Sequence, residues 1–165
     1  MNLNDYHFFW KQTKLSQWAK TPFTDGVITF KTAEHFMMHE KAILFKDTKT
    51  AELILQTDSP KEAKRLGGKA KDFDQKTWDH YKFAIVVNGN VLKFLQNEDA
   101  KKELLSTGEL ILVEACPYDR IWGIGMTVDN PKISDESLWG ENLLGKALVR
   151  VRNHIRKLNQ DLPLS

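Results

Sequence analysis

The chain has 165 residues, with 24 Lys and Arg against 22 Asp and Glu, a formal net charge of +2, and 41% apolar and 28% charged content. That length suits one domain with a sizeable core, and that composition excludes a disordered chain. A charge so close to zero argues for neither a nucleic-acid nor a membrane partner. Cys116 is the single cysteine, so no intrachain disulfide can form, and a reducing cytoplasm is the expected location. No apolar run approaches the ~20 residues of a membrane helix. Asp5 interrupts the stretch where a signal peptide would have its apolar region. Five tryptophans stand out in so short a chain.

No repeat, low-complexity segment or Gly/Pro/Ser-rich linker divides the chain, so a single domain over 1–165 is expected. The runs 6–10 (YHFFW) and 26–30 (GVITF) suit two short strands. Thr32 can cap a helix from Ala33 to Phe45, and a second helix is expected over 48–56. Ser59, Pro60 and Glu62 form a capping box for a helix that Gly67 stops. Asp74 can cap a helix through Trp78 and Phe83, although FAIVV fits a strand equally well. Residues 91–106 suit two short helices broken near Asn97. ELILVEA (109–115) is the clearest strand, and 118–140 reads as irregular with a short strand within 121–128. A last helix should run from Glu141 to about Leu158, its cations agreeing with the negative end of the helix dipole. The sum is a mainly α (α+β) fold, helical with a small β-sheet and no βαβ rhythm.

Several familiar motifs fail. Gly140 to Lys146 (GENLLGK) has P-loop spacing, but Ala147 replaces the hydroxyl residue that would hold magnesium, and SDESLW before it is no buried strand. A helix N-terminus open to an anion, or glycines needed for close packing, are the readings left. Gly123 and Gly125 lack the third glycine of a dinucleotide turn. His35 and His39 have metal-ligand spacing, but HFMMH lacks the adjacent Glu of zinc proteases and offers no third ligand. Partly exposed helical histidines, and no metal site, are expected.

What survives is a set of charged residues in apolar surroundings. Glu34 and Lys41 lie seven apart, on one face of the first predicted helix, among Phe36, Met37, Met38 and Ala42. Glu114 interrupts the 109–115 strand, Asp119 and Arg120 follow it, Trp122 comes next, and Lys93 sits between Leu92 and Phe94. Each taken singly suits an internal ion pair. Together with the tryptophans they suit a pocket that stacks a flat ring and holds a phosphate.

The blocks 28–46 (ITFKTAEHFMMHEKAILFK), 91–97 (VLKFLQN), 107–125 (TGELILVEACPYDRIWGIG) and 139–152 (WGENLLGKALVRVR) resemble the NADAR family, also called YbiA-like proteins. The FFW start, Ser16-x-Trp18 and the F-D-x-x-x-W of Phe73 to Trp78 fit as well. The resemblance implies a compact helical fold with a small sheet and hydrolysis of N-glycosidic bonds to ribose. It implies phosphorylated ribosylamino-pyrimidines of riboflavin synthesis as substrates, or, as the alternative, ADP-ribosyl-guanine in nucleic acid. The chain departs from the family at Gly68 and Lys82, each in place of a frequent Arg, and at Gln17, in place of a frequent Asn.

Cleaving a ribose C–N bond builds positive charge on the sugar and negative charge on the departing base, so a carboxylate and a proton donor are required. Glu34 and Asp119 are the expected carboxylates. Lys41 is expected either to bind phosphate or to attack the ring-opened sugar as an amine. Trp122 and Trp78 are candidates to stack on the base or sugar, with Trp10, Trp18 and Trp139 in the framework or at the rim. Lys93, Arg120 and Arg152 are candidates for phosphate, and Glu114 and Asn142 for further substrate contacts. No cofactor is needed. The competing class is a module that binds ADP-ribose or a nucleotide without cleaving it, although two carboxylates suit catalysis better than reading.

Overall fold

The computed structural model describes residues 2–160. They form six α-helices and two two-stranded sheets. The strands are β1 (Tyr6–Phe9), β2 (Phe23–Thr24), β3 (Thr29–Phe30) and β4 (Ile111–Glu114). The helices are α1 (Ala33–Leu44), α2 (Thr48–Gln56), α3 (Pro60–Gly67), α4 (Gln75–Gln96), α5 (Glu98–Ser106) and α6 (Leu143–Gln160). The chain divides into two compact units. One is Gln17–Ala100, and the other combines the residues up to Ser16 with those from Lys101 onward.

In the Gln17–Ala100 unit, α1 is the central helix and packs on α2, α3 and α4. Thr32 caps it as expected, its hydroxyl accepting from His35 N at 3.3 Å. Every residue from Ala33 to His39 is buried, because neighbours close in from several directions. A Cβ at Gly67 would lie 2.4 Å from the Met38 sulfur, and one at Gly89 2.4 Å from Phe36 Cδ1. Only glycine permits those approaches. His35 and His39 are therefore buried rather than partly exposed, at 1% and 6%. The His35 ring lies 2.8 Å from the Thr32 hydroxyl and 3.1 Å from the Thr57 carbonyl. β2 and β3 pair antiparallel, Phe23 opposite Phe30. Residues 26–28 of the expected strand are turn instead, with Asp25 Oδ1 accepting from Val27 N and Ile28 N.

Ser59 caps α3 through Glu62 N, but only half of the capping box is made. The Glu62 carboxylate turns to Arg65 instead, at 2.6 and 2.7 Å. FAIVV is helical within the 22-residue α4. The helix penalty of β-branched residues, at most about 0.7 kcal/mol each, is outweighed where Val86 is buried and Gly89 packs on Phe36. The break expected near Asn97 is present: Asn97 is the C-cap of α4.

In the other unit, β1 and β4 pair parallel, Tyr6 opposite Ile111 through Phe9 opposite Glu114, and α6 packs on β4. The strand expected within 121–128 does not form. Residues 120–124 instead offer their carbonyls to the run that leads into α6. Gly140 N donates to Ile124 O, Glu141 N to Arg120 O, Asn142 N to Gly123 O, Leu143 N to Ile121 O and Leu144 N to Trp122 O. The helix starts at Leu143 rather than Glu141, because Asn142 takes φ +52°, outside helical space. A Cβ at Gly140 would lie 2.2 Å from Arg120 O, and one at Gly145 2.0 Å from Leu112 O. The glycines of GENLLGK thus serve close packing. The N–H groups that could have met an anion are already donated to carbonyls.

Candidate active site

The residues singled out in the sequence fall into two groups, one in each unit. In the Gln17–Ala100 unit, Glu34 stands in the first turn of α1, 5% exposed, and Lys41 follows two turns later in its last turn. The Lys41 ammonium lies 4.3 Å from the centre of the Phe73 ring and 5.2 Å from that of Trp78. Trp78 is buried in the first turns of α4, whose N-terminus Asp74 caps through Thr77 N at 2.7 Å. Phe45 meets Phe73 edge-on at 5.2 Å. Burial lowers the Lys41 pKa, and the Glu34 carboxylate partly opposes that shift. A cation on aromatic faces is held electrostatically, while the same apolar walls favour its neutral form. The arrangement therefore supplies an amine that loses its proton more easily than an ordinary lysine.

Sequence reasoning places Phe73 in a family block without giving it a role. Its ring nonetheless lies nearer the Lys41 amine than that of Trp78 does. Its signal was weak, since one aromatic before a cap residue is common. Lys93 is also on α4 and fully buried, but 15 residues beyond Trp78, roughly 22 Å along the axis. Lys82 is bound to Asp79 at 2.5 Å.

In the other unit, Asp119 Oδ1 accepts from Ile121 N at 2.9 Å and Trp122 N at 2.8 Å, so the carboxylate orders the turn that carries the half-buried Trp122. Arg120 is exposed and donates to the Leu138 and Trp139 carbonyls at 3.1 and 3.3 Å. Glu114 ends β4. Its N–H donates to Asn142 Oδ1 at 3.0 Å, while Asn142 Nδ2 donates to Leu112 O at 2.9 Å. Asn142 thus hydrogen-bonds the edge of β4 as a neighbouring strand would, and both ends of its amide are engaged. Arg152 is 2% exposed, with its guanidinium on Thr107 Oγ1 at 2.8 Å and Leu110 O at 2.9 Å. Burial, aided by Arg156, lowers its pKa. That makes Arg152 an internal brace just before the start of β4.

The remaining tryptophans lie as follows. Trp139 meets Tyr6 and Phe8 edge-on and donates to Ile133 O at 3.0 Å. Trp10 lies against Tyr118 at 6.1 Å, and Trp18 is 43% exposed. A cleft of about 460 Å³ opens beside Tyr6, Trp139, Asn142 and Lys146. Among the described residues no group of three or more His, Cys, Asp or Glu is placed to hold a metal. No helix among them is long and apolar enough to cross a membrane.

The profile of the NADAR domain matches residues 8–156. The chain belongs to the NADAR family. A relative from Acanthamoeba polyphaga mimivirus, named N-glycosidase R617, is 38% identical over 92% of this chain and 97% of its own. A maize protein named Riboflavin biosynthesis protein PYRR, chloroplastic, is 28% identical over 77% of this chain but 20% of its own. The NMR structure of the E. coli protein YbiA superposes with a TM-score of 0.78 at 26% identity, covering 96% of this chain and 89% of that one. This NADAR protein is a mainly helical N-glycosidase, a hydrolase of N-glycosyl bonds.

Proposed function

We propose that the substrate is a phosphorylated ribosylamino-pyrimidine and that Lys41 and Glu34 carry the cleavage. The observation behind this reading is the Lys41 amine, 4.3 Å over Phe73, its pKa lowered by burial, on the helix that also presents Glu34. A ribosylamine suits such an amine. Its exocyclic nitrogen can open the sugar ring by forming a C=N bond to C1′. The neutral Lys41 amine then adds to C1′, and the pyrimidine amine leaves with a proton, giving a C=N bond to Lys41. Water adds to that bond, and the sugar phosphate and the free lysine amine are released. Glu34 transfers the protons in both halves, which a carboxylate within reach does at a typical gain of about 10²–10⁴-fold.

Asp119 is the second carboxylate of the proposal, held in one orientation by the two N–H groups on its Oδ1. Trp78 and Trp122 supply ring faces, and Arg120 is the cation proposed for phosphate, while the full burial of Lys93, far along α4 from Trp78, favours a role in the fold. The buried bonds of Arg152 and Asn142 favour roles in the fold. Both units are proposed to act as one functional NADAR domain in the cytoplasm, without a cofactor. The name of the maize relative supports the pyrimidine over ADP-ribosyl-guanine in nucleic acid.

The test is to incubate the purified protein separately with a ribosylamino-pyrimidine phosphate, ADP-ribosylated guanine DNA and NAD, and to measure released base. Release from the pyrimidine compound is expected. Release from the DNA alone would replace that substrate, and tight binding without release would favour a reader.

A further inference from the structure

Gln17 sits between α1 and α4 and engages both. Its carbonyl accepts from Glu34 N at 3.0 Å, one of the N–H groups that the first turn of a helix leaves without an internal acceptor. Its side-chain Oε1 accepts from Asn90 Nδ2 at 2.8 Å, and its Nε2 points at the Met37 sulfur at 4.0 Å. Met37 is three residues beyond Glu34 and shares its helix face. Asn90 Nδ2 also donates to Val86 O at 2.8 Å. Flipping the Asn90 amide would set its oxygen against two acceptors, so its orientation is fixed. Gln17 is 7% exposed and Asn90 fully buried. One residue earlier on α4, Gly89 brings that helix against Phe36. At so close a crossing the length of the bridging side chain matters.

We infer that Gln17 is a positioning residue: anchored to Asn90 on α4, it fixes the first turn of α1 and with it the Glu34 carboxylate. Asparagine at position 17, shorter by one methylene, would leave the Asn90 bond unmade or draw the backbone that holds Glu34 N out of place. Glutamine at position 90 would restore the combined length. This inference rests on the catalytic reading of Glu34 above, and the controls separate the two.

The experiment measures kcat, KM and the folded fraction for wild type, E34Q, Q17N, Q17N/E34Q and Q17N/N90Q on a phosphorylated ribosylamino-pyrimidine. Q17N should lose about ten- to a hundredfold in kcat with little change in KM, as expected for a displaced catalytic group. Q17N/N90Q should recover most of that loss. Q17N added to E34Q should cost little more, because both act through one carboxylate. A Q17N kcat equal to wild type once corrected for folded protein, beside an E34Q slowed to its residual rate, overturns the positioning role alone. So does a Q17N loss that multiplies fully with that of E34Q, a readout that stands even if the double swap fails to fold. Full activity in E34Q overturns the reading of Glu34 itself.

Discussion

The Lys41 ammonium stands 4.3 Å from the centre of the Phe73 ring, with the Trp78 ring 5.2 Å away. The two aromatic residues come from the approach to α4 and its first turns, and Lys41 from the last turn of α1. The chain thus carries one lysine amine into an aromatic setting, where its proton is held less tightly.

Lys41→Met should abolish base release while raising the thermal midpoint slightly at neutral pH. The sign follows from the lowered pKa. Between its folded and unfolded pKa values the unfolded chain binds more protons, so stability rises with pH there and burial of the charged form is a cost below it. Thermal melts and turnover on the same preparation check both halves. A destabilised Lys41→Met would mean that the ammonium stabilises the fold.

Phe73→Leu removes one aromatic face and loosens the burial of the amine. The rising limb of the kcat–pH profile should move toward higher pH, because a better solvated lysine returns toward its ordinary pKa. A pH profile of wild type against Phe73→Leu measures this directly; an unmoved limb would separate Lys41 from the titrating group.

Asn142→Ala should destabilise the fold. It leaves Glu114 N and Leu112 O without their side-chain partners, at about 1–3 kcal/mol for each group left buried and unpaired. It also puts alanine at φ +52°. Urea unfolding should show the loss, with Asn142→Gly relieving the backbone part only. Gly145→Ala should be worse still, since its Cβ would lie 2.0 Å from Leu112 O.

Acid should weaken the fold through His35. The Thr57 carbonyl can only accept, so Nε2 carries the proton and Nδ1 accepts from the Thr32 hydroxyl in the neutral ring. Burial lowers its pKa from the ordinary 6.5. Stability from the neutral ring is complete above that unfolded value and falls as pH drops toward the folded one. Melting temperatures from pH 8 to about pH 5 should fall less steeply in His35→Gln than in wild type.

Local chemistry made α1 and α3 legible, because Thr32 and Ser59 cap helices of ordinary length, whereas the Asp47 cap of α2 shows only in the structure. FAIVV was ambiguous because period alone cannot separate a buried helix from a strand; packing of Gly89 on Phe36 decides it. The strand expected within 121–128 and the helix start expected at Glu141 fail for a different reason, while the irregular reading of 118–140 agrees with the structure. The ladder from 140–144 to the carbonyls of 120–124 joins residues about twenty apart, and no local pattern announces it. Within the candidate site, Glu34 and Lys41 were visible as charges on an apolar helix. The internal bonds of Arg152, and the Gln17–Asn90 pair, depend on tertiary contacts across 45 and 73 residues.

The central claim is that Lys41 forms a covalent C=N bond to the sugar during turnover. Borohydride added during hydrolysis of a ribosylamino-pyrimidine phosphate should reduce that bond and leave one ribitol phosphate adduct. Peptide mass mapping should place it on Lys41, with no adduct on Lys41→Met. Undiminished base release under borohydride, with Lys41 unmodified, would contradict the account and leave Lys41 a binding cation.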